Sequence, residues 1–291
     1  MNGVMRKLGK KSISVTDISA QYWCEKKMEL EYIYGSSQTK AEKVGKKIHE
    51  LLENKINIQV DLEPKSYADF VYKTLYTNYI GISELLKSKK TREVNIFGRI
   101  GGISLRGKID QLHMKDNAII ILENKTKTKD EPPYAAQLLT HRVQVILYKK
   151  MLEDLKSEKY TIDMFRDDYW IKNLSLTREF EQQISMLNIP SNIRGIDGIL
   201  KNFFNIIKSL PEISNTMYIR YSNQFTEKLI KMYKLNYTDK EYDELMSYSL
   251  KYWNGLREAL TVPENEQWKC KFCSFFGNKC KVWYTSDNIK T

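Results

Sequence analysis

The stretch Ile103-Ser-Leu-Arg-Gly107-Lys-Ile-Asp110-Gln-Leu-His113, the turn Lys115-Asp116-Asn117 and the run Ala118-Ile-Ile-Ile-Leu122-Glu123-Asn124-Lys125 decide the fold. Alternating and β-branched residues on both sides of a turn read as two strands of a hairpin. Arg92 to Phe97, cut off by Gly98, Gly101 and Gly102, supplies a strand in front, so the segment is a three-stranded meander. With the turn centred on Asp116, pairing back sets Asp110 opposite Glu123 or Leu122, where Cβ atoms lie about 5 Å apart. Glu123 and Lys125 project from one face, while Asn124 points away and offers its backbone carbonyl. Ile119-Ile120-Ile121-Leu122 reads as a buried central strand that ends in an acid. Two carboxylates and a carbonyl suit Mg²⁺ or Mn²⁺, which polarise a phosphodiester and acidify a bound water. Lys125 would orient or deprotonate that water, or neutralise charge on the phosphate. A surface hairpin carrying a Glu/Lys pair satisfies the same spacing.

Helical spacing flanks the meander, at 66 to 89 before it and 134 to 155 after it, with Pro132-Pro133 separating the last core strand from the second helix. There Gln144 and Tyr148 stand at i and i+4, so one helix face holds both against the same cleft unless they are ordinary core. Lys127, Lys129 and Arg142 add the positive charge a phosphate backbone requires, or belong to a solvated basic loop. Ser14 to Ile18 is an extended entry into a helix capped by Thr16 or Asp17 that runs through Trp23 and Cys24 towards Tyr32. Another helix covers about 41 to 54 and places Gly45, His49 and Leu52 on one stripe. A lone helical histidine is more often a packed or surface residue than a ligand. Helices near 191 to 210 and 239 to 260 and strands near 217 to 222 and 228 to 236 complete the pattern.

The 291 residues, 42% hydrophobic, allow one large domain or two small ones, and no linker or repeat divides them. No apolar run is long enough for a membrane span and the start of the sequence lacks a secretory signal, so an intracellular site is expected. The formal charge of +11 favours a polyanionic partner. Cys270-Lys-Phe-Cys273 and Cys280 form a local triple, and Cys24 is the remaining thiol. Four thiolates fit a zinc ion or a [4Fe-4S] cluster equally well.

In order, Val15-Thr-Asp-Ile18, Trp23-Cys24-Glu25, Gly45-Lys-Lys-Ile-His49-Glu50, Gly107-Lys-Ile-Asp110, Leu122-Glu123-Asn-Lys125-Thr126, Val143-Gln144 to Tyr148 and Trp268-Lys-Cys270-Lys-Phe-Cys273 with Cys280 resemble the exonuclease V family, from about residue 13 to 282. The resemblance implies a PD-(D/E)xK, RecB-like α/β nuclease: a mixed central sheet flanked by helices, with added helices and an iron-sulfur clasp joining the N- and C-terminal segments. It implies one domain over 1–291, with its catalytic core at 92–155 and the clasp at 24 and 270–280. His49, Asp110, Glu123 and the Asn124 carbonyl match the metal ligands and Lys125 the catalytic lysine, while Gln144 and Tyr148 match the motif that supports the site. Cys24, Cys270, Cys273 and Cys280 match the [4Fe-4S] ligands. The implied activity is Mg²⁺- or Mn²⁺-dependent exonucleolytic digestion of single-stranded DNA to short oligonucleotides in repair or replication. The implied partners are single-stranded DNA and a single-strand-binding protein or other repair factor around a monomer in the cytoplasm, or in the nucleus or mitochondrion of a eukaryote. Gln111 and Lys127 depart from the family pattern, where an acid and an arginine are common. A CRISPR-adaptation-type nuclease trimming DNA ends and a non-catalytic nucleic-acid-binding protein with a zinc clasp are the alternatives.

Overall fold

A computed structural model of the chain describes residues 3–35, 61–172 and 174–281. The helix read at 41 to 54, and His49 with it, lies outside these residues. Helix α1 (Gly3–Lys7) leads into the two-residue strand β1 (Ile13–Ser14) and the long helix α2 (Val15–Tyr34). Helix α3 (Tyr67–Ser88) precedes the meander β2 (Lys90–Ile100), β3 (Ile103–Lys115) and β4 (Ala118–Lys127). Then come α4 (Ala135–Lys156), the short helices α5 (Ile162–Asp168) and α6 (Arg178–Met186), and α7 (Gly195–Lys208). Strands β5 (Glu212–Ile213), β6 (Thr216–Asn223) and β7 (Leu229–Asn236), helix α8 (Asp239–Trp253) and a 3-10 helix (Glu264–Phe272) follow.

The hairpin between β3 and β4 turns on Asp116 and Asn117, both left-handed (φ 50° and 54°), as a two-residue type I′ turn demands. That turn fixes the register: Lys115 pairs with Ala118 and Gln111 with Leu122, where the pairing ends one position short of Asp110 and Glu123. β2 runs antiparallel along the other edge of β3, from Lys90↔His113 to Ile100↔Ile103. β1 pairs parallel with β3 only at Leu105 and Arg106, which leaves the stretch around Asp110 between β1 and β4 on that edge. β6 pairs parallel with β4 from Leu122 to Lys127, and β7 pairs antiparallel with β6. The sheet is therefore mixed and β4 lies inside it. The segment before Pro132-Pro133 is not the last core strand, because β6 and β7 extend the sheet beyond it. Ile119 and Ile121 are fully buried, whereas Ile120 and Leu122 are only half-buried, so the apolar run is covered less completely on one face than the other.

Successive residues of β2 show helices on both faces. A Cβ at Gly98 would meet Met151 of α4, while the Phe97 ring packs edge-on against Phe165 of α5 and Phe203 of α7. α3 is tied to β2 where Asn78 bonds both backbone groups of Asn95. Helix α2 is capped by Ser14, two residues before Thr16 and three before Asp17, because the Ser14 hydroxyl accepts from the Asp17 N–H and Asp17 accepts from the Ser14 N–H. This is the capping box of two satisfied donors. The segment read as a helix over 191 to 210 is a 3-10 turn at Ser191–Ile193 and then α7, separated by the extended Arg194 (φ −75°, ψ 145°). The one read to 260 ends at Trp253, closed by Asn254 and the left-handed Gly255 (φ 72°). Among the described residues no helix is long and apolar enough to cross a membrane.

Candidate active site and thiol cavity

The pairing of β3 with β4 ends at Gln111↔Leu122. The Asn124 N–H donates instead to Oδ2 of Asp110 at 2.7 Å, so the carboxylate occupies the gap where the strands part. Glu123, only 2% exposed, accepts an ion pair from Lys125 Nζ at 2.6 Å on Oε1. Asn124 turns the other way, its amide 3.5 Å from Oε1 of Gln111. Burial lowers the Lys125 pKa, but attraction to Glu123 and Asp110 outweighs it and holds the ammonium above its ordinary value. Lys125 is thus a cation at neutral pH, suited to orienting water and meeting negative charge rather than to taking a proton.

Helix α4 brings up the second row. Gly107 is required here, because a Cβ at that position would stand 2.7 Å from the Tyr148 ring and 2.9 Å from Val15. Burial, then the charges of Glu123 and Asp110, push the Tyr148 phenol well above its ordinary pKa, so it remains a hydroxyl. Gln144 is buried with its Oε1 making no hydrogen bond among the described residues. One turn earlier on the same stripe, His141 Nδ1 meets the Tyr221 hydroxyl at 2.6 Å. Burial, with Lys125 and Lys127, holds His141 well below its ordinary pKa, so it is neutral. Sequence reasoning passed over His141, although its i, i+3, i+7 relation to Gln144 and Tyr148 marks it.

Glu93 was also passed over. It falls opposite Asp110 in the β2–β3 register, between Arg92↔Gln111 and Val94↔Ile109, and has the left-handed φ of 54°, uncommon for a residue other than glycine. Its carboxylate pairs with Lys108 Nζ at 2.7 Å. Only the cross-strand register reveals it. Of the basic residues expected at the site, Lys127 lies on β4, its ammonium on the Pro132 carbonyl at 3.0 Å, and Lys129 is exposed in the following loop. Arg142 stands on α4 with its guanidinium paired to Glu241 of α8 (Nη2 to Oε2 2.7 Å), a bond that ties the two helices together. The carboxylates Asp110 and Glu123 and the Asn124 carbonyl are hard oxygen donors that fit Mg²⁺ or Mn²⁺. His49 is outside the described residues, so its relation to them is not part of this geometry.

The four cysteines, far apart in sequence, line one cavity with Trp23, Lys27 and Lys269. Cys24 interrupts α2 with extended backbone (φ −168°, ψ 109°), and its sulfur accepts from the Lys27 N–H at 3.4 Å, so it caps the second half of the helix. Turns place the others: the Cys273 N–H bonds the Cys270 carbonyl and the Cys280 N–H bonds that of Phe275. Burial, partly offset by backbone bonds and reinforced by Cys273 and Cys280, raises the Cys24 thiol. Burial and the neighbouring Cys273 and Cys270 raise Cys280. Such thiols ionise when a metal centre supplies the compensating charge. Among the described residues no three His, Cys, Asp or Glu side chains close on a single ion. The surroundings hold the chain ends together independently: buried Lys269 reaches the Trp23 carbonyl and Glu266, Arg257 pairs with buried Glu25, and the Tyr22 hydroxyl bonds the Leu245 carbonyl.

Comparison with known proteins finds the same family along the chain. A family model described as exonuclease V, a 5′ deoxyribonuclease, matches residues 4–118, 113–203 and 190–284. Exonuclease V of Danio rerio is 25% identical over 280 residues, covering 93% of this chain and 70% of the relative. A solved structure described as the crystal structure of SSO0001 is 12% identical, with a TM-score of 0.40, covering 94% of this chain and 91% of that one. From its sequence motifs, and with the family model spanning nearly its full length, the chain belongs to the exonuclease V family.

Proposed function

We propose that this DNA exonuclease hydrolyses single-stranded DNA from a 5′ end with a divalent cation at Asp110 and Glu123, on a PD-(D/E)xK core. The observation that carries the reading is the parting of β3 and β4, which sets the Asp110 carboxylate on the Asn124 N–H and Lys125 on Glu123. Asp110, Glu123, the Asn124 carbonyl and His49 would hold Mg²⁺ or Mn²⁺; when bound, the ion acidifies a water and polarises the phosphate. Around it, Lys125 keeps its proton and offsets the charge that builds on the phosphate oxygens as the water oxygen bonds to phosphorus and the ester P–O bond breaks. Tyr148 and Gln144 orient the strand from α4, and Lys127 and Lys129 attract its backbone.

For the thiol cavity the reading is a [4Fe-4S] cluster on Cys24, Cys270, Cys273 and Cys280. Four thiols from distant parts of the chain share one cavity, and the match of these cysteines to the family's cluster ligands favours [4Fe-4S] over a lone zinc. The cluster's role would be structural, pinning α2 to the C-terminal segment. The protein would work as a monomer inside the cell in DNA repair or replication, alongside a single-strand-binding protein or other repair factor. The test is release of short oligonucleotides from linear single-stranded DNA with Mg²⁺ or Mn²⁺. Cutting of a closed circular strand would defeat the end-dependent reading.

A further inference from the structure

A cleft of about 470 Å³ lies between β2, β3, α3 and the end of α5, within the roughly 300–1,000 Å³ of ligand sites. Its floor is the pairs Phe97↔Arg106 and Asn95↔Lys108. From there β3 leads directly to Asp110, two residues beyond Lys108, about 7 Å along a strand. Lys108 in turn is bonded to Glu93, the residue opposite Asp110. The lining of the cleft thus ends at Lys108, two residues along β3 from Asp110.

Its rim combines cations with rings that solvent reaches. Tyr67, Phe70 and Trp170 are 48%, 58% and 57% exposed, unusual for side chains this apolar, and all three line this cleft. Tyr67 is steadied by its hydroxyl on the Tyr169 carbonyl (2.8 Å). Trp170 has a left-handed φ of 46°, rare for a bulky residue, and Lys11 Nζ lies 4.4 Å from the centre of its ring. Lys11 and Arg106 are exposed, while the acid in the wall, Asp168, is matched by Arg99 (2.8 Å) and Tyr160 (3.0 Å). Cations for phosphates beside open ring faces for bases make up a platform for single-stranded nucleic acid.

We propose that this cleft seats the single-stranded DNA next to the bond to be cut, with phosphates on Lys11, Arg106 and Lys108 and bases against Tyr67, Phe70 and Trp170. It rests on the nuclease reading of Asp110, Glu123 and Lys125 and adds where the strand lies. The test is fluorescence anisotropy of a labelled oligo-dT without added divalent metal, on the full chain. The Phe70→Ala/Trp170→Ala pair should weaken binding about tenfold or more, as stacking losses do. Lys11→Glu/Arg106→Glu, wholly surface changes, should also weaken it and flatten its salt dependence. Met186→Ala, at an exposed apolar residue of α6, should bind like the wild type. Wild-type affinity in both pairs, or a wild type that does not bind oligo-dT, overturns the cleft assignment. The nuclease reading fails separately, if the wild type binds the oligonucleotide but releases nothing from it with Mg²⁺ or Mn²⁺.

Discussion

Lys125, with Glu123 at 2.6 Å and Asp110 nearby, is the residue on which the proposed chemistry turns. Removing its charge leaves the developing negative charge on the phosphate unmatched. Lys125→Ala and Asp110→Ala are each expected to slow oligonucleotide release by about 10²- to 10⁴-fold while the protein still binds DNA. Single-turnover digestion with a parallel binding assay checks this. His141 makes a pH prediction. Because burial, Lys125 and Lys127 depress its pKa, the unfolded chain takes up a proton on acidification below about 6.5 that the folded chain refuses. Its contribution to stability is full above that pH and is lost below it, so His141→Gln should flatten the fall in melting temperature between pH 7 and pH 5. That Asp110, Glu123 and Lys125 come together, with Tyr148 beside them, was legible in sequence because turn register is local. Glu93 was not, since only pairing between strands places it opposite Asp110. Nor was the pairing of Arg142 with Glu241, whose partners are 99 residues apart.

Among the elements, the contact of α4 with β3 holds the two halves of the site together. At Gly107 a methyl would press on Tyr148 and Val15, so Gly107→Ala should destabilise the fold by about 1–3 kcal/mol and lower activity as α4 is pushed outward. Urea unfolding and initial rates measure both effects. The Arg142–Glu241 pair joins α4 to α8 at a partly exposed position, so Arg142→Ala and Glu241→Ala should cost similar stability, at most about 1 kcal/mol. Neither should raise KM for DNA; a rise in Arg142→Ala alone would restore that residue to DNA contact. The meander was readable because its strands are 10 to 13 residues long, rich in β-branched residues, and meet at turns of Gly, Asp and Asn. α5 and α6, seven and nine residues long, give too few turns for a helical period, and β1 and β5, two residues each, exist only because a longer strand lies beside them.

On the scale of the whole molecule, the ends of the chain meet at the four-cysteine cavity, and an aromatic chain extends from it. Trp23 packs edge-on against Trp268 (5.6 Å between centres), and Trp268 packs against Tyr134 (5.1 Å), which precedes α4. The Lys127 ammonium stands 5.8 Å from the Tyr134 ring. Loosening the cavity is therefore expected to disturb the approach to the site as well as stability. Protein purified without oxygen should be brown, with about four iron and four sulfide per chain. Cys24→Ser should lose the colour, lower the melting temperature and weaken DNA binding. One zinc per colourless chain would contradict the cluster. The cysteine spacing was visible in the sequence, but their common cavity depends on α2 packing against residues more than 200 positions away.

The account stands most directly on digestion of single-stranded DNA labelled at its 5′ or its 3′ end, with Mg²⁺ or Mn²⁺, by the wild type and by Asp110→Ala. It predicts that the wild type releases short 5′-labelled products only when metal is present, and that Asp110→Ala releases them about 10²- to 10⁴-fold more slowly. Metal-independent digestion, or an Asp110→Ala protein as active as the wild type, would contradict it.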